Sequence, residues 1–168
     1  KTARVDLTAE AVTAAWPAII FCRTRHGADR LAKQLGRSEV KAAAIHGGRS
    51  QSQRTRALAD FIAGRVHALV ATDVAARGIH VDGVASVVHY DPPEDHKAYV
   101  HRSGRTARAG EDGVVISLIQ PDQKKDTRRL QRDVGLDEPV TAPDLAVVRD
   151  LTPPAVRQLT PEQREDRR

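Results

Sequence analysis

A cluster of cationic and ionisable side chains, His101 to Arg108, is the feature of this sequence best suited to chemistry. The segment reads HRSGRTAR and closes a predicted helix that begins near Asp95. Residues three or four positions apart share a helix face, so Arg105 lies near both ends of the segment. Like charges on one face repel one another unless an anion neutralises them, and arginines match the charge of a phosphoryl group. The pattern favours a phosphate ligand over a solvated basic face, although Arg102 alone fits either solvation or pairing with nearby acids.

A second candidate for phosphate contact follows an apolar run, in the segment ATDVAARGIH from Ala71 to His80. A strand that ends in small side chains and a hydroxyl brings backbone amides close to a phosphate. Taken alone, Thr72 and Asp73 are better explained as helix N-caps, for which their side chains are well suited. Both interpretations stay open from the residues alone.

Alternating apolar runs and helix signals must position these groups. Helices are predicted at Arg25–Leu35, between Thr24 and Gly36, and after the cap residue Ser50. Runs that alternate with helices and are continuously apolar indicate a parallel sheet covered on both faces. The expected fold is therefore α/β, a three-layer α/β/α domain with a mainly parallel central sheet. The predicted strands are Ala18–Cys22, Val40–Ile45, Ala68–Ala71, Ser86–Tyr90 and Val114–Ile119.

Polar motifs fall at the carboxyl ends of these strands, where ligands of parallel sheets gather. This placement favours a functional role for them. The motifs are Arg23-Thr24, His46-Gly47-Gly48, Thr72-Asp73 and Asp91.

The chain divides into three predicted regions. Residues 1–16 are the end of a preceding linker or helix, and Trp16-Pro17 leads into the first strand. Residues 17–136 form the folded domain, whose last element is a charged surface helix over Asp122–Val134. Residues 137–168 repeat proline without a long apolar periodicity, which predicts a flexible tail.

The basic charge of the 168-residue chain lies on its folded part. The net charge is +5, yet Pro17 to Gly135 holds 20 Lys and Arg against 13 Asp and Glu. An excess of this kind suits a polyanion-binding surface, with an ordinary solvated surface as the alternative. Aromatic residues make up only 3%, so nucleic-acid contact is expected through backbone and charge more than base stacking.

Other classes of protein are disfavoured by simple counts. No apolar run approaches a membrane span, and the N-terminus lacks the apolar segment of a signal peptide, which predicts a cytoplasmic protein without membrane contact. The single cysteine, Cys22, excludes an internal disulfide and is expected to be a small core residue.

Four segments, in this order and spacing, resemble one known family: IIFCRTRHGADRLAKQL, HGGRSQSQRTRALADFIAG, ATDVAARGIHV and HRSGRTARAG. Together they are similar to the C-terminal RecA-like domain of DEAD-box ATP-dependent RNA helicases, within helicase superfamily 2. The resemblance covers residues 17–136 and implies a RecA-like fold.

The resemblance implies an ATP-facing group. Arg105 and Arg108 are expected to act as arginine fingers on the γ-phosphate across an interdomain cleft, with His101 coupling this site to the first domain. His80 stands where the family commonly has an aspartate, a ribose-hydroxyl ligand. A histidine can still hydrogen-bond a hydroxyl, but a carboxylate acceptor is lost, and Asp82 is a weaker candidate for that role.

The resemblance also implies a surface for RNA backbone and an interdomain group. The expected interdomain residues are Asp73, Arg77 and Arg102. The expected RNA-binding residues are Arg23, Thr24, Gly47, Gly48, Gln51, Arg54 and Thr72.

Two motifs of a complete ATP site are missing from the sequence. It has no G-x-x-x-x-G-K-[ST] loop to cradle phosphates and no DEAD-like acidic tetrad to hold Mg²⁺. We therefore expect ATP and Mg²⁺ to be bound mainly by an N-terminal RecA-like domain, and the isolated domain to be inactive. The chain begins without a methionine, so a domain excised from a longer protein is the expected origin.

The expected function is the second motor domain of an RNA helicase, binding RNA without sequence preference, with the tail as a candidate for protein partners. The alternative is a non-catalytic RNA-binding or scaffold module with the same fold. The spacing of Arg105 and Arg108 argues against that alternative, and His80 argues for it. A DNA-directed superfamily 2 helicase would be expected to differ around the arginine segment, since backbone contact alone does not separate RNA from DNA.

Overall fold

A computed structural model of the chain describes residues 2–79, 81–106 and 113–141. Its elements in chain order are α1 (Thr2–Ala14), β1 (Ala18–Phe21), α2 (Arg25–Arg37), β2 (Ala42–Ile45), α3 (Gln51–Ile62), β3 (Ala68–Ala71), α4 (Asp73–Arg77), β4 (Ser86–His89), α5 (His96–Ser103), β5 (Val114–Ser117), a 3-10 turn (Pro121–Gln123) and α6 (Lys124–Val134).

The five strands form one parallel sheet in the order β2-β3-β1-β4-β5, as the apolar runs predict. Side chains alternate between its two faces. Ile20 and Val70 pack beneath α1 and α2, whereas Ile19, Leu69 and the α3 residue Phe61 form the core on the other face. The predicted three-layer α/β/α architecture is confirmed, with β1 at its centre.

Helix α1 belongs to this folded unit. Residues 1–16 were open to two interpretations, and residues 2–14 form the helix. Val5 and Val12 lie in the core cluster under the sheet, and the Arg4 guanidinium donates to the Tyr90 carbonyl and to Asp91 at the end of β4. The buried Ser86 hydroxyl donates to the Ala15 carbonyl at 2.7 Å. The folded part of the chain therefore starts well before Pro17.

Several elements begin or end one or two residues away from the predicted positions, because of the turns that form between them. The second helix runs past Gly36 to Arg37, and Glu39 takes a left-handed φ of 63°. The second strand begins at Ala42, since the Val40 amide donates back to the Leu35 carbonyl. The fourth and fifth strands are one and two residues shorter than predicted.

The predicted charged surface helix is present as α6, and Gly135 ends it with a left-handed φ of 75°. Of the predicted tail, only residues 137–141 fall within the described part. Within the described ranges, no helix has the length and apolarity needed to cross a membrane.

Candidate functional site

Parallel pairing brings the carboxyl ends of β2, β3 and β1 side by side, at the usual strand spacing of about 4.8 Å. Thr72 follows β3 directly, and Gly47 and Arg23 each follow the end of their strand after one intervening residue, so this edge gathers predicted RNA-binding residues. We call it the carboxyl edge.

Arg23 and Thr24 are fixed by backbone contacts at the end of β1. The Thr24 hydroxyl accepts a hydrogen bond from the Gly27 amide at 3.0 Å, which confirms its predicted role as the N-cap of α2. The Arg23 amide donates to the Asp91 carboxylate at 2.8 Å. The Arg23 side chain is exposed. The hydroxyl proton of Thr24 and the Arg23 guanidinium therefore remain suitable for a phosphate.

The glycine turn after β2 is held by two residues that sequence reasoning did not assign to the site, His46 and Asp29. The buried His46 ring contacts the Asp29 carboxylate through Nε2 at 2.9 Å and accepts from the Gly48 amide at Nδ1 at 3.0 Å. A Cβ on Gly48 would lie 3.1 Å from this ring. A side chain at this position would therefore require the His46 ring to shift by a few tenths of an ångström. His46 was visible at a strand end, but nothing in the sequence linked it to Asp29 in α2.

Asp29 also accepts from the Arg49 guanidinium at 2.7 Å. Burial alone would raise the pKa of Asp29, but the hydrogen bonds from His46 and Arg49 outweigh it and lower that pKa below its ordinary value. Asp29 is thus kept ionised, and it holds the glycine turn after β2 in place through His46 and Arg49.

The first turn of α3 presents Gln51 and Arg54 next to this glycine turn. Ser50 caps the helix, as predicted, in a capping box with Gln53. The Gln51 side-chain carbonyl accepts from the Arg54 guanidinium at 2.9 Å. Gln51 thereby holds the Arg54 guanidinium at the N-terminal end of α3.

Thr72 precedes α4 in extended conformation, yet its hydroxyl makes no capping hydrogen bond. Asp73 directs both carboxylate oxygens at Arg102. The capping interpretation is therefore wrong for the Thr72 side chain, whose hydroxyl is left for other use.

Arg102 is buried at the centre of a network inside this domain. Its Nε and one terminal nitrogen each donate to Asp73 at 2.7 Å, and the other terminal nitrogen donates to the Asp91 carbonyl at 2.8 Å. Its side chain is 2% exposed. The solvated-face interpretation of Arg102 is wrong, and the pairing with a nearby acid is confirmed. Interdomain roles for Asp73, Arg77 and Arg102 stay predictions.

A neutral histidine completes this network. Burial lowers the pKa of His89 to about 3, and the neighbouring Arg102 charge adds to the effect. The ring stacks on Tyr99 with centroids 5.1 Å apart, and its Nδ1 lies 3.3 Å from the Arg102 guanidinium. A neutral ring can accept at that nitrogen. Cys22 is also buried, which raises the pKa of its thiol to about 12 and confirms it as a core residue.

Arg105 lies at the other end of α5, beside the start of β4. The Val84 amide donates to the Arg105 carbonyl, and the following Thr106 pairs with Val84. The Arg105 guanidinium donates to the carbonyl of Ala76, in α4, at 3.1 Å and to that of Ile79, just after α4, at 3.3 Å. Arg105 therefore contacts α4 and the segment that follows it, through Ala76 and Ile79.

Asp82, the weaker candidate for a ribose contact, forms an ion pair with Arg105 at 3.6 Å instead. The Arg105 side chain is 18% exposed, so solvent reaches it. His101 is exposed on α5. His80 and Arg108 lie outside the described residues. The predicted proximity of Arg105 to Arg108 therefore stays a prediction.

Comparison with known proteins identifies the family to which this domain belongs. Residues 5–110 match the helicase conserved C-terminal domain family. DEAD-box ATP-dependent RNA helicase 53 of Oryza sativa subsp. japonica is 48% identical over 117 residues, which cover 70% of this chain and 19% of that protein.

Solved structures of similar proteins point to the same family. S. cerevisiae Dbp5, bound to RNA and ADP BeF3, has a TM-score of 0.76 and 30% identity, covering 90% of this chain and 43% of that one. E. coli DEAD-box protein SrmB, bound to regulator of ribonuclease activity A, has a TM-score of 0.72 and 34% identity, covering 86% and 88%. The chain thus spans about a fifth of the length of the rice relative. It belongs to the helicase conserved C-terminal domain family and is the C-terminal RecA-like domain of a DEAD-box helicase.

Proposed function

We propose that this domain is the second motor domain of an ATP-dependent RNA helicase, with an ATP-facing arginine group and a separate surface for RNA backbone. The observation that carries the proposal is that the two groups make different contacts within one folded domain. The Arg105 guanidinium, just past the C-terminal end of α5, contacts the Ala76 and Ile79 carbonyls. The residues of the carboxyl edge follow the ends of β1, β2 and β3, and the buried Arg102 joins α5 to Asp73 and to the Asp91 carbonyl.

The donors of Arg105 suit a phosphoryl oxygen. Its contacts to Ala76, Ile79 and Asp82 are 3.1–3.6 Å long, longer than the roughly 2.7–2.9 Å of strong charge-assisted hydrogen bonds. On binding a phosphate, Arg105 would therefore exchange these long contacts for shorter ones. Arg108 is proposed as the second arginine finger, His80 as a ribose ligand and His101 as the link to the first domain.

ATP and Mg²⁺ are proposed to be held mainly by an N-terminal RecA-like domain. In the described part of the chain, no group of three or more His, Cys, Asp or Glu residues could hold a metal ion. This domain would contribute cationic stabilisation of charge that develops on the transferring phosphoryl group. ATP binding and hydrolysis would supply the free energy for domain closure and release.

RNA is proposed to lie along the carboxyl edge through its phosphates. The Thr72 hydroxyl, the Arg54 guanidinium held by Gln51, and the exposed Arg23 with Thr24 are the donors. The Gly48 amide is occupied by His46, so Gly47 and Gly48 would contribute close backbone approach rather than two amide donors. Contacts of this kind position RNA without reading its sequence.

The test is RNA-stimulated ATP hydrolysis by the full-length protein. Arg105→Ala or Arg108→Ala should lower kcat by about 1,000-fold or more, the usual contribution of an arginine finger, while RNA affinity stays near that of the parent. Arg65→Ala, which changes an exposed arginine in the turn after α3, is the matched control. An unchanged rate in both finger variants would refute the assignment.

The RNA side has its own test. Arg54→Ala and Thr72→Val should weaken binding of single-stranded RNA by the isolated domain, which should bind weakly, in a salt-dependent manner and without ATPase activity. Turnover by the isolated domain would contradict the composite site. Equal RNA affinity in both variants would contradict the carboxyl edge as the RNA surface.

A non-catalytic RNA-binding or scaffold module is the second candidate, favoured by histidine at position 80 where the family has an aspartate. It predicts that the full-length parent protein binds RNA but shows no RNA-stimulated ATPase. His80→Asp would then be expected to leave that rate unchanged.

A further inference from the structure

All five cations of α6 lie on one side of the helix. At 100° per residue they fall within an arc of about 140°. Each is exposed, whereas Thr127, Leu130, Gln131 and Val134 on the other side are half-buried, and α6 packs against α5. We define the α6 basic face as Lys124, Lys125, Arg128, Arg129 and Arg132.

The α6 basic face has no internal counter-charge. None of its cations forms an ion pair with any residue of the described ranges, although Asp126 and Asp133 belong to the same helix. Five cations against two acids leave this helix at +3, a large share of the positive charge of the folded part. The charge is therefore available to an external anion.

Helix stability does not account for this arrangement. Lys124 and Lys125 occupy the first turn, where positive charge opposes the helix dipole. Like charges at i and i+4, as in Lys124 with Arg128 and Arg128 with Arg132, also destabilise the helix. A bound polyanion would remove both costs at once.

The position of α6 connects it to the carboxyl edge. It follows β5, so it starts on the side of the sheet where the strands end. In the strand order, β5 is two positions from β1, about 10 Å at the usual spacing. An RNA strand held by Arg23 and Thr24 and continuing past β4 would thus come within reach of α6.

We propose that the α6 basic face is a second contact for RNA phosphates, extending the strand held at the carboxyl edge toward β5. This rests on the proposed function, in that the carboxyl edge is taken to bind RNA. RNA is favoured over an acidic protein because Lys124, Arg128 and Arg132 form a straight row with about 6 Å between successive residues, a regular array that suits a regular polyanion.

The proposal can be tested by fluorescence anisotropy on the intact 168-residue chain with two labelled oligouridylates, one of about 6 and one of about 20 nucleotides. The α6 variant carries Arg128→Gln, Arg129→Gln and Arg132→Gln. Its matched control carries Arg30→Gln, Lys33→Gln and Arg37→Gln, three exposed cations on α2. Thermal unfolding of both variants checks that each is folded.

The α6 variant should bind the long RNA about 10-fold to 100-fold more weakly at 0.1 M salt, and its salt slope should fall by about 2, for three lost phosphate contacts. Its affinity for the short RNA should match that of the parent, as should the affinity of the α2 control for both. Replacing the same three arginines with lysine should restore most of the binding, since charge is retained.

Three outcomes would overturn the proposal: unchanged binding of the long RNA, an equal loss in the α2 control, or an equal loss for the short RNA. Competition by polyglutamate as strong as by RNA of equal charge would reassign the surface to an acidic protein partner. If instead the proposed function is wrong and the carboxyl edge does not bind RNA, Arg54→Ala will leave the affinity for the short RNA unchanged.

Discussion

The buried pair between Arg102 and Asp73 should be the electrostatic contact on which folding of this domain depends most. Asp73→Ala removes the carboxylate that both 2.7 Å hydrogen bonds reach and leaves the guanidinium, 2% exposed, without its counter-charge. Breaking a buried ion pair from one side typically costs 3–5 kcal/mol. Arg102 keeps its contacts to the Asp91 carbonyl and His89, and Asp73 is 30% exposed, so we expect about 3 kcal/mol.

A surface pair of the same two residue types supplies the control. Arg65 and Asp60 lie 2.8 Å apart, but the Arg65 side chain is 64% exposed. Asp60→Ala should therefore cost at most about 1 kcal/mol. The two aspartate variants differ mainly in the burial of the arginine left behind.

Urea and thermal unfolding, followed by circular dichroism, measure the difference. A loss of about 3 kcal/mol corresponds to a fall in Tm of roughly 6–12 °C for a chain of this size. Arg102→Met in the Asp73→Ala background should recover at least about 1 kcal/mol, because no buried cation remains. The reasoning is refuted if Asp73→Ala costs no more than Asp60→Ala, or if the added Arg102→Met destabilises the protein further.

Four further predictions concern single residues. The pKa of His89 is about 3 in the folded protein against about 6.5 in the unfolded chain, so the unfolded chain takes up a proton first as the pH falls. Protonation of this residue should therefore lower the free energy of unfolding by up to about 2–3 kcal/mol between pH 6.5 and 4.5. Urea titrations of His89→Asn should show a flatter dependence of stability on pH in that range. Gly36→Ala, where a Cβ meets nothing within 4 Å inside α2, should stabilise by up to about 1 kcal/mol in the same assay. Gly48→Ala, whose Cβ would press on the His46 ring at 3.1 Å, should instead weaken RNA binding by the isolated domain, and equal affinity for parent and variant would contradict this. Cys22 should resist iodoacetamide at pH 8 in the folded protein and react on unfolding, because its buried thiol has a pKa of about 12; labelling of the native protein, detected by mass spectrometry, would contradict its burial.

The architecture could be predicted because local signals agreed with one another. Continuous apolar runs predicted the five strands, and their alternation with helices predicted a parallel sheet. Thr24, Ser50 and Asp95 cap helices where a hydroxyl or carboxylate precedes a periodic segment. The same parallel order placed the polar strand ends along one edge.

The partners of buried charges could not be predicted, since they depend on packing between distant segments. Asp73 and Arg102 are 29 positions apart, and Asp29 and His46 are 17 apart on different elements. The core role of α1 was missed for a related reason. Its buried side chains are mostly small, as Ala11 illustrates, and carry a weak periodic signal.

The strand order has a consequence for how the chain folds. Within this domain the first strand in chain order is the central one, and Ala18 pairs with Ala68 and Ser86, which lie 50 and 68 residues later. Until both neighbours have left the ribosome, the segment AIIFC exposes two strand edges and an apolar surface that favour aggregation. Non-local pairing of this kind slows folding. Expression yield should therefore respond strongly to chaperones that shield this first strand during translation.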